Sequence, residues 1–544
     1  MKRPFVTIST GAGALLLGLL IVPLHGCTNL DETPVSVITP GNFFRNEAEV
    51  LAGLAGVYAQ LRSTAPEGGI YDVNEVTTDE IVVPTRGSDW FDGGQWIDLH
   101  NQTWTPSSAA SGFFNGAWNS AYTGVARANL FLAAVENTNV PNKATVVAEG
   151  RALRAFYYYI LMDLFGGVPI VTTTDLTPHA RSTRRELFDF IESELIAARD
   201  SGLPDIRDAA NNGRLTKYAA DAILANMYIN AGVFTKDSAG GGGINASAYN
   251  TCLGVTVSAG QDACAAAIAA ADRILNSGHY QLADSFPQNF RADNFKSPEN
   301  IFVVKFIPAD GLGMGITMAA LHYCQYAPLT PWNGFATLAQ TYNSFDAADK
   351  RRNAILIGPQ TDVLTGAPAT VRVSGACPTS GGTPLVFTDT IGDIRSASEA
   401  EGPRIYKWPA DPAHVQQNSG NDFAWFRLGE IYLIKAEALN EQSAGSAAAL
   451  ALLNTLRNRP GEPVNVALGG PITRDMILSE RLFELFGESK RRQDLVRFGQ
   501  YSGRTDAASG LVGGKTARPD YYVLMPIPQT QVNANPLLTQ NHGY

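Results

Sequence analysis

The chain is 544 residues long, with 51 Asp and Glu against 41 Lys and Arg and a formal net charge of −10. Charged residues make up 17% of it and hydrophobic residues 45%, the balance of a folded globular protein rather than a disordered one. An acidic surface repels a phosphate backbone, so nucleic acid is excluded as a partner, and length alone suggests about two to four domains.

Lys2 and Arg3 are followed by an uncharged apolar run from Gly11 to Val22. That is a secretory signal layout, too short for a comfortable membrane span. The run leads into Leu24-His25-Gly26-Cys27, which resembles the lipobox of bacterial lipoproteins, although His25 stands where a small residue is usual. The resemblance implies a lipoprotein signal peptide over 1–26, acylation of Cys27, and membrane attachment through lipid without a spanning helix. A plain signal peptide with an incidental Cys is the competing reading. Residues 27–40, with Pro34 and Pro40, read as a tether.

Asn46-Glu47-Ala48-Glu49 predicts a capped helix start, and Val50, Leu51, Leu54, Val57, Tyr58 and Leu61 form one apolar stripe behind it. Residues 63–119 hold Trp90, Trp96, Trp104 and Trp118 among Gly, Pro, Asp and Asn with no sustained period, and read as ordered irregular loops. Helical texture returns over 146–165 and stops at Gly166-Gly167. Thr183 and Glu186 form a capping box that opens a helix over 184–199. Thr216 opens an Ala-rich helix over 217–231, apolar nearly all round and therefore buried, with a partner at 265–276. Gly240 to Gly243 read as a flexible loop between them. Residues 280–420 are mixed, with a strand-like run at Ile301–Phe306. Helices are expected at 426–441, 447–457 and 475–486, and the tail from Tyr521 to Tyr544 has no helical period. The pairs 148–165 with 184–199, 217–231 with 265–276, and 426–441 with 447–457 have the texture of tetratricopeptide-like repeats. An ordinary irregular helical domain fits that texture as well.

After Cys27 four cysteines remain, and no two have CxxC spacing, which leaves a zinc ribbon or thioredoxin-type site without support. Cys252 with Cys264 and Cys324 with Cys377 are the simplest disulfides by proximity; other connectivities and free thiols stay open. There is no HExxH, no GxSxG and no His cluster. Gly510–Thr516 (GLVGGKT) has one residue too few between its glycines for a P-loop, and GLGMG (Gly311–Gly315) fails the dinucleotide fingerprint at Ile316. No cofactor or metal is expected.

Four segments together resemble the SusD/RagB family of outer-membrane lipoproteins. They are NFFRNEAEVLAGLAGVYAQLR (Asn42–Arg62) behind Cys27; RALRAFYYYILMDLFGGVPIV (Arg151–Val171); FRLGEIYLIKAEALNE (Phe426–Glu441) with LLNTLRNRPG (Leu452–Gly461); and ERLFELFGESKRRQDLVRFGQY (Glu480–Tyr501) with the tail Tyr521–Tyr544. The resemblance implies a mostly α-helical fold in which tetratricopeptide-like helix pairs form an α–α superhelix carrying large irregular loops. It implies one SusD-like domain over 41–544, with an N-terminal half of about 41–235 and a C-terminal half of about 265–544. It also implies a cell-surface lipoprotein, not an enzyme, that captures a glycan and passes it to a SusC-type TonB-dependent outer-membrane transporter. Peptide capture by the same fold is the near alternative, and a surface-anchored polysaccharide hydrolase the distant one. The hydrolase would draw its carboxylates from Asp79, Glu80, Asp89 and Asp92.

Glu480, Arg481, Glu484, Glu488, Arg491 and Arg492 invite a catalytic reading. Helix-surface or half-buried ion pairs explain them better: Glu484 and Glu488 are four apart, and Glu488 can reach Arg491 and Arg492. Tyr157, Tyr158 and Tyr159 read as packing between helices. The binding candidates lie in Pro84–Trp104, since a sugar offers an apolar face for stacking and a rim of hydroxyls for polar side chains. Trp90 and Trp96 supply rings there; Arg86, Asp89, Asp92, His100 and Asn101 supply polar groups. Burial of these Trp residues as a satellite core is the alternative for each ring. Tyr323, Tyr326 and Trp332 form a second aromatic patch that could face the first, and the resemblance implies ligand aromatics in loops of these two regions. The expected ligand residues are Arg86, Trp90, Asp92, Trp96, Tyr323 and Trp332.

Overall fold

A computed structural model describes residues 44–66, 68–237 and 243–544. The signal segment, Cys27, the tether and most of the Gly240–Gly243 loop lie outside the described residues. Phe44–Tyr544 forms one compact unit. Its helices begin with α1 (Glu47–Ala59), whose first turn is capped as expected: the Asn46 side chain accepts from the Glu49 N–H at 3.0 Å.

The span 63–119 departs from the sequence reading. It holds α2 (Gly69–Val76), α3 (Gln95–His100) and the first part of α4 (Ser111–Glu136), the longest helix described. Gly112, Gly116 and Gly124 are poor helix formers and hide α4 from a propensity reading. Packing explains Gly124. A Cβ there would lie 2.5 Å from the Tyr157 ring of α5 (Lys143–Phe165), so glycine lets the two helices approach. Tyr157, Tyr158 and Tyr159 are buried, and their hydroxyls donate to Val57 O, Val171 O and Asn226 Oδ1 at 2.7, 3.0 and 2.9 Å.

Helix α5 ends at Gly166, whose φ of 77° suits glycine. The capping box of Thr183 and Glu186 opens α6 (Arg184–Ser201), which packs on α5. Helix α7 (Lys217–Ile229), buried on all sides, is followed by the short α8 (Ala231–Phe234) and packs on α9 (Ala263–Leu275). A disulfide joins Cys252 to Cys264 beside that contact, and a second joins Cys324 to Cys377. After the short α10 (Ile316–Ala320) and α11 (Ala339–Ser344), α12 (Leu428–Gln442) pairs with α13 (Ala447–Arg457). All three expected helix pairs are therefore present.

Helix α12 starts two residues later than expected. Phe426 and Arg427 belong to β6 (Phe423–Arg427), which pairs antiparallel with β1 (Asn300–Val304) in the register Phe302 to Phe426. Two shorter pairs, β2 (Ile355–Leu356) with β5 (Arg404–Ile405) and β3 (Gly358–Pro359) with β4 (Val386–Phe387), order the loops between. Helix α14 (Arg474–Leu485) stops one residue early, and Gly487 takes a φ of 75° before α15 (Arg491–Arg497). The tail carries a 3-10 turn over Asp520–Val523 and one short α-helix, α16 (Gln529–Ala534).

The charges around α14 are buried, not displayed on a helix surface, and their partners are distant in sequence. Glu484 receives Arg427 at 2.7 Å, Arg459 at 2.6 Å and Arg351 at 3.0 Å. Glu488 lies beyond the helix end and takes Arg427 and Lys407, not Arg491 or Arg492. Arg491 pairs with Asp79 and Arg492 with Asp163. Despite burial, which opposes ionisation, the three guanidiniums hold the Glu484 carboxyl well below the usual carboxylate range. Among the described residues, no helix is long and apolar enough to cross a membrane.

Candidate functional site

Two loops meet at the backbone between Val82 and Ala336, whose N–H groups donate to each other's carbonyls at 2.8 and 2.9 Å. From this tie one loop runs toward Trp96, and the other runs back to Leu321. Arg86 and Asp89 close a tight turn at 2.9 and 3.0 Å, with Gly87 at a φ of 65°. The turn throws Trp90 and Phe91 outward. Trp90 takes the left-handed conformation (φ 62°), and its Nε1 donates to Trp332 O at 2.6 Å. Gly334 makes room, since a Cβ there would sit 2.3 Å from the Trp90 ring.

The two aromatic patches therefore join. Trp90, Trp96 and Phe335 lie 5.6 to 5.8 Å apart in edge-to-face contacts, and Trp96 also packs on Phe113 at 4.8 Å. Trp96, only 7% exposed, is the inner ring; its Nε1 donates to Asp92 Oδ2 at 2.8 Å. Trp90 and Trp332 are half-buried, and Asp92 is exposed. Tyr326 is buried with Met318 and Leu321 in a cluster against which Trp332 also packs.

Arg86 lies beneath this surface. Its guanidinium donates to Ser398 O and to Glu401 O, and burial pushes its pKa down to about 10. It braces the two loops against the 396–404 segment. His100 is likewise internal, between Val76 O at 3.1 Å and Asp506 at 2.8 Å.

Tyr323 is buried, and its hydroxyl donates to Asp89 Oδ2. The Arg372 guanidinium lies 3.4 Å over its ring, so that face is covered. Arg372 donates to Glu399 at 2.7 Å and approaches Asp89 at 3.6 Å. Glu399 in turn meets His322 at 3.1 Å. Burial drives the His322 pKa down to about 4, so the ring is neutral at pH 7. The Cys324–Cys377 disulfide staples the Tyr323 loop to the hairpin that carries Arg372.

Sequence reasoning passed over Phe91, Arg372 and Glu399. Phe91, which follows Trp90 in the chain, is 56% exposed. Its place in a loop of Gly, Asp and Trp was the available signal. Arg372 and Glu399 lie far from both loops in sequence and carried none.

Two of the carboxylates a hydrolase would need are inaccessible. Asp79 is buried and accepts two hydrogen bonds from Arg491 at 2.8 and 2.9 Å and another from Arg504. Glu80 is buried and accepts from the Gly487 N–H at 2.7 Å; burial, then the charge of Glu75, pushes its pKa well up. Lys515, in the P-loop-like stretch, is buried and donates to Thr77 O at 2.6 Å. No group of three or more His, Cys, Asp or Glu among the described residues could hold a metal ion.

The molecule is thus a helical-repeat scaffold carrying a loop-built aromatic platform with a rim of carboxylates. A family model described as the SusD family matches residues 333–544, and one described as starch-binding, associating with the outer membrane, matches residues 49–229. The chain belongs to the SusD/RagB family. It is 25% identical to SusD-like protein P2 of Formosa agariphila, over 97% of this chain and 98% of that one. It is also 25% identical to the starch-binding protein SusD of Bacteroides thetaiotaomicron, over 98% of each. Among solved structures, a laminarin-binding SusD-like protein superposes with a TM-score of 0.69 at 22% identity, covering 92% of this chain and all of that one. The surface glycan-binding protein A of Bacteroides thetaiotaomicron in complex with laminarihexaose gives 0.68 at 20%, covering 91% and 99%.

Proposed function

We propose that this protein captures a glycan at the outer membrane and hands it to a SusC-type TonB-dependent transporter, held there by a lipid on Cys27. The observation that carries the reading is the junction of the half-buried Trp90 and Trp332, flanked in the chain by the exposed Phe91 and Asp92 and by Asp89, which Arg372 approaches. Partly exposed rings supply stacking faces and the rim supplies hydroxyl partners, the two contacts a sugar needs. Relatives named for binding starch and laminarin support the same ligand class. In this reading Trp90, Phe91, Trp332, Asp92 and Arg372 touch ligand, and Arg86, Trp96 and Tyr323 hold the platform in shape. The ligand is released intact in this reading: two of the four carboxylates a hydrolase would draw on, Asp79 and Glu80, are buried and already engaged.

A glycan array followed by calorimetry on the best binder tests the proposal. Phe91→Ala should weaken binding about ten- to a hundredfold, as loss of an exposed anchor does, with an unchanged melting temperature. Unaltered affinity in Phe91→Ala and Trp90→Ala would move the site elsewhere, and chromatographic evidence of cleavage would replace capture by hydrolysis. For the anchor, Cys27→Ser should leave the membrane fraction; normal outer-membrane fractionation of that variant would remove the lipid from the account.

A further inference from the structure

The accessible charges of the platform are unbalanced. Asp89, Asp92 and Glu399 are its carboxylates, and Arg372 is the cation that Asp89 and Glu399 face. Arg372 is already engaged: Glu399 holds its Nε at 2.7 Å, Asp89 lies 3.6 Å from Nη2, and the guanidinium plane rests on Tyr323. His322 adds no charge, being buried and neutral. Glu401 adds no cation partner either; its carboxylate accepts from the backbone N–H groups of Gly392 and Ser398 at 2.9 and 3.2 Å. Beneath the platform Arg86 and Arg404 donate to carbonyls and to Asn333, not toward solvent. The net charge of −10 adds a long-range field of the same sign.

Carboxylates accept hydrogen bonds and cannot donate them, so they match the hydroxyl donors of a neutral sugar. A uronate or sulfate placed there would meet like charges with no free cation to answer it. From this juxtaposition of rings with an excess of carboxylates we propose that the platform selects neutral oligosaccharides and rejects acidic ones, with Asp89 as the residue that sets the discrimination. This inference rests on the capture reading above. Asp89 is singled out because it stands between Trp90 and the Tyr323–Arg372 pair, where its carboxylate both orients Arg372 and lowers the local potential.

The test is calorimetry with the neutral oligosaccharide that binds best and the same oligosaccharide oxidised at its primary alcohols to uronates. The neutral form should bind at least about tenfold more tightly at low ionic strength, and the gap should shrink at about 1 M salt, where the screening length is about 3 Å. In Asp89→Asn the ratio of the two affinities should fall severalfold, whatever happens to the neutral affinity itself. Asp92→Asn serves as a second variant should the first fail to fold. Equal or tighter binding of the oxidised form would overturn charge selection while leaving capture standing. A ratio unchanged in both variants would overturn the role of the carboxylates. Failure of every glycan to bind would remove the capture reading, and this inference with it.

Discussion

Trp96 and Trp90 show how far one residue type can diverge in role a few positions apart. Trp96 is enclosed by Phe113, Phe335 and Trp90, whereas Trp90 keeps part of its surface open. Trp96→Ala should therefore cost about 3 to 5 kcal/mol of stability and lower the melting temperature, a loss read by denaturant titration. Asp72 makes a different residue-scale prediction. It is buried in α2, its Oδ1 has no hydrogen-bond partner, and burial raises its pKa to about 8. A folded-state value above the unfolded one means its contribution to stability is intact below about pH 4 and is lost as pH rises to about 8, at ~1.4 kcal/mol per pH unit. Asp72→Asn, which cannot ionise, should melt above the parent at pH 7, with the advantage vanishing near pH 4. A melting difference independent of pH would show that Asp72 is not held protonated.

At the scale of elements, what was legible in the sequence followed from local chemistry. Asn46, Thr183 and Thr216 each cap the helix their side chains announced, and Gly166 ends α5. Tyr157, Tyr158 and Tyr159 are buried as packing residues. Helix α4 was not legible, because its glycines are poor helix formers and one of them, Gly124, serves the packing of α5 rather than the helix itself. Gly124→Ala tests that account: intrinsic propensity favours Ala by about 1 kcal/mol, but a Cβ 2.5 Å from the Tyr157 ring should push α4 from α5. A net loss of about 1 to 3 kcal/mol in a thermal melt is expected, and a stabilised variant would show that the contact is soft. The platform was half legible. Its rings stood out by residue type, but the union of 84–104 with 321–336, and the arrival of Arg372 and Glu399, depend on long-range pairing that no local period encodes.

Across the whole molecule, the buried charges join segments far apart in the chain. Arg351 precedes β2, Arg427 ends β6, Arg459 follows α13, and all three converge on Glu484 of α14. Glu299 beside β1 meets Arg459 and, at 3.4 Å, Arg427, while Asp349 and Glu480 take the rest of Arg351. Local spacing pointed to pairs within one helix; the fold instead stops that helix at Leu485 and turns the acids inward, where desolvated guanidiniums need them. Such a network adds little over an apolar core of the same shape, yet it is expensive to break, because removing one member strands the others without water. Glu484→Gln keeps the volume and removes the charge. It leaves Arg351, Arg427 and Arg459 sharing fewer carboxylates, and a loss of about 3 to 5 kcal/mol is expected on urea unfolding. The loss should be the same with and without ligand, since Glu484 is buried and reaches none of the platform residues. The parent's depressed Glu484 pKa also gives the sign with pH. The stability that Glu484 confers is present above its unfolded value near 4.5 and fades as pH falls toward its folded value, so the gap between parent and variant should narrow in acid. A gap that stays constant or widens between pH 5 and pH 3 would show that the carboxylate is not held ionised by its three arginines.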